Sequence, residues 1–322
     1  MSSSNDSSAS VRARRPLNRA SVLTALVVIG ATSIVIAAQQ SAPRVLEVEK
    51  LRDNLFVLKG TGSGGNTAVF VGSSGVVVVD TKIPGWGPAL LAKIKELTPK
   101  PITTIINTHT HYDHVGTNPD FPDNVDIVVH ENTKANMEAM RAVTGIPLDQ
   151  QTYLGVFKDS KGKGLAKRSF KDKMTLGGGA DQIDLYYFGR GHTNGDAWVV
   201  FPGLRVMHAG DIFSGKNLPL LDANNGGSGV AIGDTLAKAA SEVKNVDAII
   251  TGHRTVMTLK DLAEYAEFNR EFAAMVQAGK KAGKSVDDIV SGWTMPAKYT
   301  GYSAAAPARL KANVEVIYNE LK

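Results

Sequence analysis

The chain has 322 residues, 43% of them hydrophobic, and no cysteine. This length allows one large domain or two small ones, and the hydrophobic share is ordinary for a globular protein with a core. The lack of cysteine excludes disulfides, thiolate metal ligands and a cysteine nucleophile. Any zinc ion must therefore be held by histidine and carboxylate side chains.

The formal net charge of +5 comes mainly from the N-terminal segment. The first 44 residues contain five arginines and one aspartate, which leaves 31 basic and 30 acidic residues in the rest of the chain. Because this body is close to neutral, the charge gives no support for nucleic-acid binding.

Residues 1–43 have the pattern of an export signal. A serine-rich start and the basic stretch 12–15 precede an uncharged apolar run over residues 20–38, and small residues near 37–42 offer cleavage sites. The apolar run is long enough that an uncleaved membrane anchor is the alternative. In either case we expect the folded body to be exported, to the periplasm or to a membrane surface facing it.

The next segment reads as strands and turns. Strands are predicted at 55–58, 67–71 and 76–80, the last two joined in a hairpin by Gly72-Ser73-Ser74-Gly75. A helix is predicted over 88–97, because its leucine and isoleucine residues fall on one face. The β-branched run 102–106 then predicts a strand that leads into a histidine-rich segment.

Four ligand-type side chains follow that strand within six residues: His109, His111, Asp113 and His114. Imidazole nitrogens and a carboxylate suit Zn²⁺ and neighbouring first-row metals. His109 and His111 are two residues apart and can converge on one ion, whereas Asp113 and His114 can reach a second. A chance polar loop is a poor explanation, because the whole chain contains only seven histidines.

A strand at 125–129 and a helix at 132–141 follow, with His130 at their junction. A single histidine at a strand end is usually structural, so His130 is not included among the ligands. Residues 145–179 are less regular, and the lysine-rich stretch 158–173 is read as a solvated surface.

Three more strands end on residues that can bind metals. The strand 183–188 leads to Gly191-His192-Thr193, the strand from Val206 leads to Gly210-Asp211, and the strand from Ala248 leads to Gly252-His253. These positions predict that the motifs gather at one edge, near the carboxyl ends of the strands. Apolar faces over 259–281 and 307–321 predict two helices that cover the core.

Taken together, H-x-H-x-D-H at 109–114, G-H-T-x-G-D at 191–196, G-D-x-F at 210–213 and Gly252-His253 resemble the metallo-β-lactamase superfamily. The resemblance extends from about Val45 to His253. It implies an α/β fold of the αββα sandwich type, with two mixed β-sheets face to face and helices outside. We expect a catalytic domain over 44–281 and a C-terminal helical extension over 282–322.

The resemblance also implies a site for two zinc ions. The first ion would be bound by His109, His111 and His192, the second by Asp113, His114 and His253, with Asp211 bridging. Asp80 and Asp196 are candidates to hydrogen-bond the ligand histidines, although Asp80 could equally be a turn carboxylate. His208 is assigned a supporting or packing role.

The implied activity is hydrolysis of a small ester, lactone, thioester or amide by a metal-bound hydroxide, with a β-lactam as one option. Asp113 would orient the attacking water or carry a proton. Lys216 could meet a substrate carboxylate, although a surface lysine is the simpler reading. Two alternatives stay open: a mono-iron oxygenase of the same fold, and a non-hydrolytic metal-binding or relay protein in the periplasm. The expected partner is a small-molecule substrate, and the N-terminal segment is the only expected membrane contact.

Overall fold

A computed structural model of the chain describes residues 44–322, which form one compact unit. The predicted export segment, residues 1–43, lies outside the described residues. In the described part, the strands are β1 Glu47–Arg52, β2 Leu55–Lys59, β3 Thr67–Val71, β4 Val76–Val79, β5 Ile102–Ile106, β6 Asp126–His130, β7 Arg168–Phe170, β8 Lys173–Leu176, β9 Ile183–Tyr186, β10 Trp198–Phe201, β11 Val206–Gly210 and β12 Ala248–Thr251.

The helices of the same part are α1 Gly87–Leu97, α2 Tyr112–Val115, α3 Glu131–Ala139, α4 Val156–Asp159, α5 Ile232–Glu242, α6 Leu259–Lys281, α7 Val286–Ser291 and α8 Pro307–Glu320. Searched over residues 44–322, none of them combines the length and the apolar character that a membrane crossing needs.

The strands form two mixed sheets. The first has the order β1-β2-β3-β4-β5-β6-β7, antiparallel from β1 to β4 and parallel from β4 to β7. The second has the order β12-β11-β10-β9-β8 and is antiparallel except for the β11–β12 pair. Because these pairs are parallel, the carboxyl ends of β4, β5 and β6 lie together at one end of the first sheet. The carboxyl ends of β11 and β12 likewise lie together at one end of the second sheet.

Alternating apolar residues explain why the sheets stack. In the first sheet Val57 faces the second sheet, while Leu58 faces the helices outside. In the second sheet Val199 faces the first sheet, while Val200 faces the helices outside. Because successive strand residues point to opposite faces, a strand that is apolar throughout must be covered on both sides. Helices α1 and α3 cover the first sheet, and α5, α6 and α8 cover the second. The predicted αββα sandwich is confirmed.

The C-terminal helices belong to this core. Leu262, Tyr265 and Phe268 of α6 and Val314 and Ile317 of α8 are buried in one cluster with the outer face of the second sheet. This agrees with the predicted role of core cover. The boundary expected between residues 281 and 282 stays a prediction.

The irregular stretch 145–179 contains two short strands, β7 and β8, that the sequence did not predict. In β8 exposed and half-buried residues alternate, and β8 is the outer strand of the second sheet. A lysine such as Lys173 on an outer strand helps to keep the open side of the sheet from pairing with another chain, and its charge also obscures the apolar pattern of the strand.

Candidate metal centre

The predicted ligands lie at the ends of strands from both sheets. The loop after β5 supplies His109, His111, Asp113 and His114, the last two within the single turn α2. His192 follows β9, Asp211 follows β11, and His253 follows β12. A rigid sandwich therefore aims side chains from distant parts of the chain at one place, as loops on sheet scaffolds commonly do.

The first cluster contains His109, His111, His192 and Asp211. One ligand-type atom of each lies within 4.8 Å of the others, and all four residues are buried. His192 Nε2 is 3.1 Å from His111 Nδ1 and 3.9 Å from Asp211 Oδ2. Two nitrogens that bind one tetrahedral zinc ion at the usual bond length are about 3.3 Å apart, so this spacing fits a shared ion.

The second cluster contains Asp113, His114 and His253. His253 Nε2 lies 3.3 Å from His114 Nε2 and 3.2 Å from Asp113 Oδ2. Asp211 lies between the two clusters, because its Oδ2 is 3.1 Å from His253 Nε2 and its Oδ1 is 3.3 Å from His114 Nε2. The seven residues thus form two adjacent groups of ligand-type side chains, with the Asp211 carboxylate between them.

Two buried atoms of these clusters support a bound cation. His109 Nε2 and Asp211 Oδ1 are buried and have no hydrogen-bond partner among residues 44–322. Leaving such a polar atom unsatisfied costs about 1–3 kcal/mol. A cation bound at these clusters would satisfy such atoms, so the residues fit a metal ion of the kind that histidine and carboxylate bind.

Asp80 positions the histidine-rich loop. Its carboxylate accepts hydrogen bonds from Thr108 N and Thr108 Oγ1, both at 2.7 Å, and lies 2.8 Å from His114 Nδ1. Asp80 itself has a positive φ of 58°, which ends β4 one residue earlier than the sequence suggested. The sequence left open whether Asp80 supports a ligand histidine or is a simple turn carboxylate. In the structure it supports His114, because its carboxylate fixes the orientation of that ring.

Asp222 fixes the ring of His111, and the sequence analysis did not identify this residue. Asp222 Oδ2 is 2.8 Å from His111 Nε2, which leaves Nδ1 of that ring free to face the first cluster. Nearby, the Leu220 carbonyl lies 2.7 Å from His192 Nδ1. The only signal was a single aspartate in a Gly/Asn-rich loop, and nothing local in the sequence shows that this loop folds back over His111.

Asp196 was one candidate to hydrogen-bond a ligand histidine, and the structure gives it a different partner. Its carboxylate accepts hydrogen bonds from Thr193 N and Thr193 Oγ1 and so closes the turn that carries His192. Burial raises the pKa of Asp196 to about 7. Its hydrogen bonds support the site by fixing the shape of that turn.

Three other polar residues have structural roles. His208 accepts a hydrogen bond from Gly210 N and lies 3.2 Å from the Asn66 carbonyl. His130 caps α3 and stacks on Tyr187 at 4.0 Å, as its exclusion from the ligands implied. Lys216 pairs with two carboxylates of α6, Asp261 at 2.9 Å and Glu264 at 3.0 Å.

The two clusters differ in charge. Burial and the neighbouring histidines hold the pKa of His109 well below its usual value, and burial lowers that of His192 to about 4. These rings are neutral at pH 7, which is the form that binds metals. In the second cluster Asp211 raises the pKa of His253 to about 10, and His114 and His253 outweigh burial to lower that of Asp113 to about 2.

A cleft of about 330 Å³ opens over both clusters. Asp113, Asp211 and His253 reach its floor, and apolar side chains such as Val143 and Leu218 form part of its walls. Helix α8 contributes one residue, Arg309. A cleft of this size can take a small molecule.

Comparison with known proteins agrees with this site. The family model described as the metallo-beta-lactamase superfamily matches residues 60–253, which is more than half of the chain and includes every predicted ligand. The chain belongs to the metallo-β-lactamase superfamily. Membership in a fold family does not by itself fix the substrate.

Two curated superfamily relatives show how far the likeness extends. A metallo-beta-lactamase type 2 of Elizabethkingia meningoseptica is 29% identical over 190 residues, covering 54% of this chain and 64% of that protein. The 2,4-dinitroanisole O-demethylase subunit alpha of Nocardioides sp. (strain JS1661) is 29% identical over 156 residues, covering 46% of this chain and 42% of that protein. The chain therefore spans less than two thirds of either relative.

Solved structures show the superfamily fold as well. The sec-alkylsulfatase Pisa1 from Pseudomonas sp. has a TM-score of 0.65 at 15% identity, covering 86% of this chain and 50% of that one. The DIM-1 metallo-beta-lactamase has a TM-score of 0.53 at 20% identity, covering 70% of this chain and 98% of that one. At these identities the likeness establishes the fold alone.

Proposed function

We propose that this protein is a hydrolase that uses two metal ions, zinc by preference, to cleave a small ester, lactone, thioester or amide. The observation that carries this proposal is the pair of adjacent ligand clusters with Asp211 between them, open to one cleft. A purely structural metal site is closed by its ligands, whereas a catalytic one keeps a position open to substrate.

Two metal ions in this position would supply a water of lowered pKa and would stabilise negative charge that develops on the substrate. The chain's own residues would do the rest. Asp113 is partly exposed at the cleft floor and can hold the attacking water in line or accept its proton. Asp80 and Asp222 would keep the rings of His114 and His111 from turning.

The proposal specifies metal-dependent hydrolysis but leaves several classes of substrate open. The names of the relatives include a metallo-beta-lactamase, an O-demethylase subunit and an alkylsulfatase. Because proteins with these three different names are similar to this chain, the test needs a substrate panel that includes a β-lactam, a lactone, a thioester, an aryl methyl ether and an alkyl sulfate.

The test uses the full chain loaded with zinc, a metal assay, and turnover of the panel with and without EDTA. We expect about two zinc ions per chain and turnover that EDTA abolishes and zinc restores. His109→Asn should lose metal and activity. The matched control is His130→Asn, another buried histidine at a strand end, whose replacement can still cap α3 and should keep both.

Metal analysis and an oxygen-consumption assay on the protein as purified, run beside the zinc-loaded chain, separate the rivals. One iron ion per chain with oxygen consumption would support the mono-iron oxygenase instead. Bound metal without turnover on any substrate would support the binding or relay protein. Less than one metal ion in the zinc-loaded chain, with His109→Asn unchanged, would contradict the metal centre itself.

We further propose that the protein is exported and acts in the periplasm. The support is the basic stretch and the apolar run of residues 1–43. Cell fractionation and N-terminal sequencing of the purified protein test this. Recovery in the cytoplasm with the N-terminus intact would contradict it.

A further inference from the structure

One arginine enters the metal cleft from outside the region that defines the superfamily. Arg309 is the third residue of α8, whereas the family model ends at residue 253. Its side chain lines the same cleft as Asp113, Asp211 and His253. Burial in this cleft lowers the pKa of Arg309, while the nearby Asp211 opposes that change.

Arg309 is half-buried, and no residue in the range 44–322 forms a hydrogen bond or an ion pair with its guanidinium. Two other arginines of the fold, Arg205 and Arg270, do pair with carboxylates. Arg205 is 2.6 Å from Asp247, and Arg270 is 2.7 Å from Asp234, although both arginines are about half exposed. Withdrawing a charge from water without a partner is unfavourable, so an unpaired, half-buried guanidinium indicates a site that a ligand completes.

The cation that the sequence suggested for substrate binding is already neutralised. Lys216 pairs with Asp261 and Glu264, so its charge is not available to a ligand. Arg254, directly after His253, also lines the cleft, and its side chain has no ion pair within the described part of the chain. Apart from the predicted metal ligands, the charged side chains of the cleft are therefore Arg254 and Arg309, both positive.

The packing of α8 holds Arg309 in place. Asn313, one turn further along α8, donates a hydrogen bond of 2.9 Å from its buried Nδ2 to the Pro219 carbonyl. Val314 and Ile317 are buried in the core against the second sheet. Arg309 therefore lies on a helix whose position is fixed. That helix packs against the loop whose residues Leu220 and Asp222 contact the ligand histidines.

We propose that Arg309 is a specificity-determining residue that binds an oxyanion group of the substrate, a carboxylate or a sulfonate or sulfate, while the scissile bond lies over the two clusters. The proposal rests on the hydrolase function and narrows its substrate class to small anionic molecules. Arginine suits this task because its planar guanidinium can donate two parallel hydrogen bonds to such a group. Arg254 at the exposed rim would add attraction for the same charge.

The test compares substrates that differ only in charge. Mono-4-nitrophenyl glutarate and 4-nitrophenyl 4-sulfobutanoate carry an anion, and 4-nitrophenyl methyl glutarate has the same scissile ester without one. We expect the zinc-loaded wild type to prefer the anionic esters. Arg309→Met should lower kcat/KM for them about 10–100-fold, mainly through KM, and change the neutral ester less than about twofold. Arg309→Lys should recover part of the loss.

Arg270→Met is the matched control, because Arg270 is an exposed arginine on α6 that pairs with Asp234. It should leave both kinds of ester unchanged, and metal content should stay the same in all variants. Equal losses on anionic and neutral esters in Arg309→Met would overturn the proposal, as would a wild type that does not distinguish them. The two anionic esters show whether the site takes carboxylate, sulfonate or both.

Failure of the hydrolase function would be seen separately. If the zinc-loaded wild type cleaves none of the esters, calorimetry with glutaranilate and its neutral methyl ester still tests the residue. Tighter binding of the anion that Arg309→Met weakens about tenfold would support the anion site in a protein that is not an esterase. Equal binding of both compounds, or an unchanged affinity in Arg309→Met, would overturn it.

Discussion

A single methyl group at Gly64 should remove one of the two metal ions that we propose. Gly64 has a φ of 95°, and a Cβ placed on it would lie 2.5 Å from the Asp113 carbonyl oxygen and 2.8 Å from Asp113 Cβ. Gly62, two residues earlier, has a similar φ of 70° and nothing within 4 Å of such a Cβ. Gly62→Ala therefore has the same unfavourable backbone conformation without the collision.

The expected size follows from these distances. Both substitutions place alanine in a left-handed conformation, which costs about 1–2 kcal/mol of stability. In Gly64→Ala the Asp113 backbone must also move by about 0.9 Å to reach an ordinary contact of 3.4 Å. Metal–ligand distances tolerate only about 0.2 Å, so Asp113 can no longer bind in the second cluster.

The assay is the metal content of the zinc-loaded full chain, together with urea denaturation. We expect about two zinc ions in Gly62→Ala and about one in Gly64→Ala, at similar losses of stability. Two ions in both variants would refute the reasoning, since Asp113 would then not depend on the space at Gly64. Equal metal loss in both would refute it as well, because backbone strain alone would explain the effect.

Three more predictions concern the supports of the site. Asp222→Asn should weaken metal binding about 10–100-fold in a chelator competition, because it removes the carboxylate partner of His111; an unchanged affinity would show that the ring needs no such partner. Lys82 is fully buried and donates hydrogen bonds to two backbone carbonyls, so Lys82→Met should lower the free energy of unfolding by about 1–3 kcal/mol. Lys59→Met breaks only a partly exposed ion pair with Glu49 and should lower the free energy of unfolding by less than about 1 kcal/mol. Equal losses in urea titrations of the two lysine variants would contradict that ranking. Removing metal with EDTA should lower the melting temperature of the wild type. The corresponding loss in free energy of unfolding is about 4 kcal/mol if zinc was present at a thousand times its Kd. An unchanged melting temperature would indicate that the folded protein does not bind the ion.

The local patterns of the sequence were enough to predict the elements that position the site. The helix over 259–281 and the strand at 67–71 have the bounds expected from periodicity, because strong apolar alternation leaves few alternatives. The candidate ligands could be picked out because each follows a strand in a compact motif. The structure brings their side chains together in two clusters, and their role as metal ligands stays a prediction.

The supports of the site could not be predicted in the same way. Asp222 and Leu220 reach the ligand histidines only because a loop without regular structure folds back over them, and no periodicity encodes that path. Asp196 was misassigned because a motif position does not show which neighbour a carboxylate meets. Arg309 lies on a helix whose apolar face is evident, but its direction into the cleft depends on how α8 packs against the loop at Pro219.

The central claim is that two adjacent metal ions, bound by both clusters, make this protein a hydrolase. The most direct measurement is zinc titration of the metal-free full chain, following bound zinc and ester turnover in the same samples. We expect binding that ends at about two ions per chain, with turnover that rises as the clusters fill. Binding that ends at one ion, or turnover that does not depend on zinc, would contradict it.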